Sequence, residues 1–555
     1  MTPPPNAATA AARTVVDELV RCGARHLVLS PGSRSAPLAF AAYDAAAAGR
    51  VELHTRLDER TAGFLALGLA RTSRRPVGVV TTSGTAVANL HPAVLEASHS
   101  GLPLVLLTAD RPAHLRGTGA NQTTWQPGMF GRAVLDEADV VPGSPGDRED
   151  EQVRAWRAHL FRLVEVATTG HGPVHLNLQL DGPLTPDAGD GWSTGIDAAD
   201  PPATDDEPRP SPEPLDATVR TVVVAGDDAG PPARVLAEQA GWPLLAEPSS
   251  GSRTGDHAIR TGRLLLADPA LAGGIDRVVV AGHPTLSRPV TRLVSRTDVE
   301  VVALADRHGR WTDPGHVVSR VIGAATVDGR CDKKWLADWK GRDAEVSRRL
   351  DELVDGWDAD LVPHQVAREV ATALPPGGLL FVGSSNPVRD LDLMVPRYDV
   401  GARRMVVANR GLAGIDGTLS SAIGCALGRP RSTRALALLG DVTFLHDLTG
   451  LAIGPVEARP DLTVVVVNDD GGSIFALLEQ GAETHAASFE RLFATPHGAD
   501  LGALCAGLGV HHRQVRDPAG LRDALATPAG GLEVVEAVVR RDDRRALDAA
   551  IRALV

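Results

Sequence analysis

Gly440-Asp441 and, a helix length later, Asn468-Asp469-Asp470-Gly471-Gly472 combine carboxylates with glycines at the ends of two apolar runs. Magnesium takes octahedral oxygen ligands and commonly sits between one or two protein carboxylates and a ligand's phosphates. Asp441 and Asp469 at successive strand ends would place two such oxygens side by side, while the glycines let backbone groups approach a diphosphate. The plainer reading is an acidic turn that closes a βαβ unit. Gly-Asp alone is weak; the pair at the ends of successive strands is stronger. Arg34, Arg111, Arg389 and Arg410 fall in turns after or beside apolar runs, where bidentate pairing with carboxylates is the chemistry available to them. Almost every basic residue is arginine, Lys333, Lys334 and Lys340 being the only lysines, so a single arginine carries little weight.

The elements that must hold these residues alternate. Short Val/Leu-rich runs at 27–30, 77–82, 104–108 and 174–180 each end in a small or polar turn, and helical stretches at 60–71 and 86–97 lie between them. Continuous apolarity predicts parallel strands covered on both faces, and hence α/β doubly wound sheets whose ligands lie beyond the carboxyl ends of the strands. Residues 181–216, dense in Pro, Asp, Gly and Thr, read as a linker. Further strands are predicted at 221–225, 277–281 and 299–305, then at 379–382, 404–408, 435–439 and 462–467. The charged helical stretch 328–356, with Trp335 and Trp339, reads as a packing connector. This gives three doubly wound domains with mainly parallel sheets: 1–185, a linker 186–220, a middle domain 221–340, and 341–555.

Composition narrows the function. The 555 residues carry 56 Lys+Arg against 69 Asp+Glu, a net charge of -13, which repels a phosphate backbone and argues against nucleic acid as a partner. Four scattered cysteines show no CxxC or Cys/His cluster, so neither a disulfide framework nor a zinc site is indicated. The start lacks a basic, apolar leader and no run reaches a membrane span; a cytoplasmic protein is expected.

The Gly-Asp…Asn-Asp-Asp-Gly spacing resembles the GDG…NN signature of thiamine diphosphate enzymes. The runs 30–35, 82–89, 108–112, 120–122, 384–390, 409–411 and 414–417 closely resemble the 2-succinyl-5-enolpyruvyl-6-hydroxy-3-cyclohexene-1-carboxylate synthase family of menaquinone biosynthesis. That resemblance covers the first and third blocks, with the middle only loosely matched. It implies a thiamine diphosphate-binding fold, with 1–185 holding the pyrimidine and 341–555 the diphosphate. It also implies decarboxylation of 2-oxoglutarate and 1,4-addition of the resulting succinyl carbanion to isochorismate.

Asp441, Asp469 and the Gly471 carbonyl would bind Mg2+ or Mn2+, and Glu59 would act at the aminopyrimidine ring, a role that needs a buried carboxyl. On its own, Glu59 reads as an acid complementing a helix dipole. Thr82, Ser384, Ile415, Gly440, Asn468 and Ile474 would complete the cofactor site. Ser33, Arg34, Arg111, Gln122, Ser385, Arg389, Arg410, Phe475 and Leu478 would hold the dicarboxylates, with Ser33, Gln122 and Ser385 also candidates to relay protons. Glu59 and the metal loop would come from different subunits, making a dimer the smallest active unit and a tetramer plausible.

Two departures stand out: Val442 replaces the third glycine, and Asp469 replaces the usual amide, adding negative charge beside the diphosphate. Two alternatives stay open. One is another thiamine diphosphate carboligase or decarboxylase of the acetohydroxyacid synthase type, with a flavin in its middle domain, where 225–230 is only a partial glycine-rich match. The other is a catalytically silent binding protein on the same fold. In the middle domain Arg277, Arg288 and Arg307 are candidates for an anionic effector, beside the plainer reading of solvated faces.

Overall fold

The apolar runs become covered parallel strands. The computed structural model describes residues 6–143, 149–186, 211–306, 309–395 and 397–555, in two compact units. One comprises Met1–Asp206, Gly411–Pro430 and His446–Pro460; the other comprises Glu207–Arg410, Arg431–Leu445 and Asp461–Val555.

The first unit is built on β1 (His26–Leu29), β2 (Glu52–Thr55), β3 (Val77–Thr81), β4 (Leu104–Asp110), β5 (Glu137–Val140) and β6 (Val174–Gln179). They form one parallel sheet in the order β2-β1-β3-β4-β6-β5. Every residue of β1, β3, β4 and β6 is buried, as expected of strands covered on both sides. The helix predicted over 86–97 is two, Thr85–Ala88 and His91–Ser100, because Pro92 has no N–H to continue the ladder and sits instead in a new first turn.

The helix Glu59–Ser73 lies against Thr418–Leu427. A Cβ at Gly68 would meet the Ser421 carbonyl oxygen at 2.1 Å, and one at Gly424 the Leu65 carbonyl oxygen at 2.2 Å. Glycine at both positions is what permits this backbone approach.

In the second unit, β7 (Glu213–Asp216), β8 (Thr221–Ala225), β9 (Leu244–Ala246), β10 (Arg277–Ala281), β11 (Glu300–Leu304), β12 (Val318–Ile322) and β13 (Ala325–Asp328) form two sheets, β12-β11-β10-β8-β9 and β13-β7. The region read as a linker therefore contains a strand, because Glu213 to Asp216 pair in parallel with Ala325 to Asp328; residues 187–210 lie outside the described residues. A third sheet, in the order β15-β14-β16-β17-β19-β18, contains β14 (Leu379–Val382), β15 (Met405–Val407), β16 (Ala435–Gly440), β17 (Leu462–Asn468), β18 (His511–Val515) and β19 (Leu532–Val538).

The stretch 328–356 supplies the helix Lys333–Asp355, whose Trp335 and Trp339 are buried in one apolar cluster with Val222 of β8 and Leu380 of β14. Arg277 donates to Glu300 at 2.6 Å and Arg288 to Glu479 at 2.9 Å, so these two proposed effector arginines are already paired with carboxylates. Arg307 lies outside the described residues.

Two buried ion pairs fix the helix Asn386–Met394. Arg544 donates to Asp390 at 2.9 Å, and Arg253 donates to the Asp392 carboxylate at 2.9 Å and to its carbonyl at 2.6 Å. Removing one partner of such a pair strands a charge away from water. Arg544→Met is expected to cost about 3–5 kcal/mol, measured by denaturant unfolding; an unchanged midpoint would show that the pair is not a tether.

Candidate functional site

Parallel register sets two strand ends level. Gly440 of β16 faces Val467 of β17, so the chain leaves both strands at the same height with Asp441 beside Asn468 and Asp469. Asp441 is 2% exposed. Its Oδ1 accepts the Val442 N–H at 2.7 Å and its Oδ2 the Gly471 N–H at 2.9 Å. His497 Nε2 is 3.1 Å from the same Oδ2, while its Nδ1 accepts the Ala499 N–H at 3.0 Å. With Nδ1 used as an acceptor, the neutral ring carries its hydrogen on Nε2 and donates it to Asp441.

Burial raises the Asp441 carboxyl above the ordinary aspartate range. Asp469 is pushed up by burial and then by the Asp441 charge. Two carboxylates held together with little water disfavour double ionisation, and a divalent cation is the group that relieves this.

The loop between them is tightly tied. Asn468 donates to Glu536 at 2.6 Å and accepts the Asp470 N–H at 3.0 Å, so both ends of its amide are committed within the protein. Asp470 has a φ of 57° and its carboxylate accepts the N–H groups of His497 and Gly498. Gly471 has a φ of 141°, and a Cβ there would lie 2.2 Å from the Ala494 carbonyl oxygen, so no other residue fits. Its carbonyl accepts the Ser473 N–H at 3.2 Å, which leaves a second lone pair.

Across this loop, Ser384 Oγ and Asn386 Oδ1 are buried without a hydrogen-bond partner, while Asn386 Nδ2 donates to Ser473 Oγ at 2.8 Å. Orphaned polar atoms beside a carboxylate pair, one buried and one half-buried, are what a metal-bound diphosphate would satisfy; the residues fit that group. Ile474, Phe475 and Leu478 fall on a 3-10 turn, Ser473–Leu477, and just after it; all three are half-buried.

Arg389 and Arg410 belong to the same unit. Arg389 donates to the Ser385 carbonyl at 2.6 Å and Arg410 to Thr285 Oγ1 at 2.7 Å. Burial first, and Arg410 second, push the Arg389 guanidinium down to about 10. Ser385 takes a left-handed φ of 73° at the head of its helix. Glu247, buried and pushed up to about 8 by desolvation, accepts the Leu286 N–H at 2.8 Å and so fixes the loop that presents Thr285 to Arg410.

In the other unit, Glu59 is the first residue of its helix, behind the cap Asp58, whose carboxylate accepts the Arg60 N–H at 2.8 Å. It is half-buried, not buried as its expected role requires, because a residue in the first helical turn points back from the helix end. Arg34 donates to the Leu180 carbonyl at 2.8 Å, and Arg111 to the Gln122 carbonyl at 2.6 Å and to Ser83 Oγ. Burial and then the Arg34 charge lower the Arg111 pKa, so the two cations lie close to each other. Gln122, at a φ of 53°, donates to the Ser83 carbonyl at 2.9 Å. The 31–33 turn lies against Thr82, since a Cβ at Gly32 would meet the threonine at 2.3 Å. Ser33 is exposed and Ile415 half-buried.

His497, Glu247, Thr285 and Glu536 had no signal in the sequence. Each acts across a long separation in the chain, and none stands at a spacing that marks chemistry.

Residues 9–129 match the family model described as thiamine pyrophosphate enzyme, N-terminal TPP binding domain, and residues 393–536 the one described as thiamine pyrophosphate enzyme, C-terminal TPP binding domain. The chain is similar to proteins named 2-succinyl-5-enolpyruvyl-6-hydroxy-3-cyclohexene-1-carboxylate synthase from three bacteria. It is 60% identical to that of Nocardioides sp. over 566 residues, covering 100% of this chain and 99% of the relative. It is 50% identical to that of Kineococcus radiotolerans over 573 residues (99% and 100%) and 46% to that of Saccharopolyspora erythraea over 569 residues (99% of each).

Because His497 orients Asp441, His497→Ala is expected to weaken Mg2+ binding by about 10–100-fold. Calorimetric titration of Mg2+ in the presence of thiamine diphosphate measures this, and an unaltered isotherm would remove the histidine from the metal's support.

Proposed function

This chain belongs to the 2-succinyl-5-enolpyruvyl-6-hydroxy-3-cyclohexene-1-carboxylate synthase family of thiamine diphosphate enzymes, and on that premise we propose which of its residues carry the reaction. The enzyme decarboxylates 2-oxoglutarate and joins the remaining succinyl unit to isochorismate by 1,4-addition, a step of menaquinone biosynthesis. Thiamine diphosphate, when bound, supplies the carbon nucleophile and the electron sink for loss of carbon dioxide. The protein supplies position, charge and a dry surface.

Asp441, Asp469 and the Gly471 carbonyl hold Mg2+ or Mn2+ against the diphosphate. Ser384 offers its unpartnered hydroxyl, and Asn468 and Gly440 shape the strand ends. The observation that carries this assignment is the carboxylate pair at two level strand ends, Asp441 buried and Asp469 half-buried, beside polar atoms with no partner of their own. Thr82, Ile415 and Ile474 complete the cofactor's surroundings. Glu59 would present its carboxyl to the aminopyrimidine ring as a hydrogen-bonding partner, and the half-buried position it has in one chain would be completed by a partner subunit. The smallest active unit is then a dimer, and a tetramer is compatible with it.

Both substrates carry two carboxylates. The two arginine pairs, Arg34 with Arg111 and Arg389 with Arg410, donate to neutral oxygens, so their charge is available to an anionic ligand. Ser33, Gln122 and Ser385 add neutral hydrogen bonds and a path for protons, while Phe475 and Leu478 exclude water. By domain, 1–185 holds the pyrimidine, 221–340 is the middle domain after the linker 186–220, and 341–555 holds the diphosphate. Among the described residues no helix is long and apolar enough to cross a membrane. The cytoplasm is the compartment proposed for the enzyme.

Protein, thiamine diphosphate and Mg2+ are mixed with 2-oxoglutarate, with and without isochorismate, and carbon dioxide release and the loss of isochorismate absorbance are followed. Both signals are expected, and Glu59→Gln is expected to lower kcat by about 10²–10⁴-fold; undiminished carbon dioxide release in that variant would sink the assignment. Sedimentation of the holoenzyme at a monomer's mass would overturn the shared site.

A further inference from the structure

A second cluster of ligating side chains lies on the first unit's sheet, outside every motif described above. The parallel register of β1 and β2 sets His26 opposite Glu52, and the two-residue period of a strand returns His54 to the face that Glu52 occupies. His26 Nδ1 is 3.3 Å from His54 Nε2 and 3.5 Å from Glu52 Oε2, and the ligand atoms of all three lie within 4.8 Å of one another. Both imidazoles are buried and Glu52 is exposed.

These separations are informative. A tetrahedral zinc ion with bonds of about 2.0–2.2 Å to imidazole nitrogen and carboxylate oxygen has ligand-to-ligand edges of roughly 3.4 Å. Two of the three separations are already close to that length, and the third, between His54 and Glu52, is within 4.8 Å. A hydrogen bond between the rings accounts for the first distance, but one hydrogen on His26 Nδ1 serves only one of its two neighbours well. When the proton lies on His54 Nε2 instead, the Nδ1 lone pair faces a carboxylate. A cation at the centre satisfies all three groups. Burial, which holds both imidazoles in the neutral form, leaves their lone pairs free for it.

We propose that His26, Glu52 and His54 form a transition-metal site for Zn2+ or a related first-row divalent ion, distinct from the metal of the diphosphate loop. Two imidazoles and one carboxylate suit such an ion, whereas magnesium prefers an all-oxygen shell. Three protein ligands leave a fourth position, which opens to solvent beside the exposed Glu52. The bound ion would cross-link β1 to β2, a strand at the edge of the sheet. The chain leaves β2 at Thr55 and begins the helix at Glu59, so the cross-link steadies the segment that sets Glu59.

His54 Nδ1 is buried with no acceptor. The outer hydrogen bond that normally orients a metal-bound imidazole is thus missing, and affinity falls short of a fully supported site by about 10–100-fold.

The test uses full-length protein saturated with thiamine diphosphate and excess Mg2+, so that the diphosphate loop is filled, and titrates it with Co2+. Wild type is expected to take up one equivalent with the intense visible absorption of a tetrahedral Co2+ centre, reversed by Zn2+. Glu52→Ala, a change at an exposed position that keeps the fold, is expected to bind at least about 10-fold more weakly, and His26→Asn to lose the band. Zn2+ should also raise the unfolding temperature of wild type and not of Glu52→Ala. No tetrahedral band in wild type, or an equal band and equal affinity in Glu52→Ala, overturns the site, and the Glu52→Ala comparison decides the matter even when His26→Asn does not fold.

Discussion

A carboxylate that is almost out of contact with water, Asp441, is the constraint around which its half of the chain is organised. Burying a charge is costly unless donors or a counter-ion surround it. Here the donors are the N–H groups of Val442 and Gly471 and the ring of His497. The loop that supplies Gly471, and the segment that supplies His497, have further attachments. The Asp470 carbonyl is held by Arg541, the Asp470 carboxylate collects the 497–498 backbone, and Asn468 leans on Glu536. The glycine at 471 exists in its unusual conformation because the Ala494 carbonyl leaves no room for a side chain.

This arrangement gives Asp469 a physical meaning that an amide would not have. An asparagine would supply an oxygen with no added charge. An aspartate beside Asp441 adds repulsion that burial magnifies, so the empty loop is electrostatically strained and the cation-filled loop is relieved. On the proposed metal site, an aspartate at 469 would strengthen the hold on the cation and weaken the attraction of the diphosphate itself. Val442 is less consequential: its N–H caps its neighbour's carboxylate, a backbone contact that any residue but proline can make.

The arginine pairs illustrate the opposite economy. Many arginines, such as Arg116, Arg260 and Arg544, are matched to carboxylates. Arg34, Arg111, Arg389 and Arg410 instead donate to carbonyl or hydroxyl oxygens, which position the guanidinium without neutralising it. Positioning by neutral groups preserves positive potential for a ligand. The ion pairs on Asp390 and Asp392 lie one and three residues beyond Arg389 in the same helix, so the guanidinium proposed to meet the ligand sits on a helix held by charges that the fold has already matched.

The sequence by itself determined the strands that are apolar without interruption, such as Val77–Thr81 and Leu462–Asn468, whereas Glu52–Thr55, Leu244–Ala246, His511–Val515 and Leu532–Val538 were not legible in it, being short, at an edge or interrupted by charge; it also marked the Gly-Asp and Asn-Asp-Asp-Gly residues at two strand ends. It also placed Arg34, Arg111 and Arg410 in turns; Arg389, expected in one as well, lies instead within the helix Asn386–Met394, whose first turn holds Pro387. Register was decided only in three dimensions. The level ends of β16 and β17, the helix contact through Gly68 and Gly424, and the short strand Glu213–Asp216 within a Pro- and Asp-rich stretch all depend on a partner strand or helix far along the chain. The same holds for His497 on Asp441, 56 residues apart, and for Thr285 on Arg410, 125 residues apart. His26, Glu52 and His54 show the difference most sharply. No cysteine or histidine spacing marks them, yet parallel pairing in one register and the two-residue alternation of side chains bring their ligand atoms together, and a shift of one residue would turn the histidines to opposite faces of the sheet.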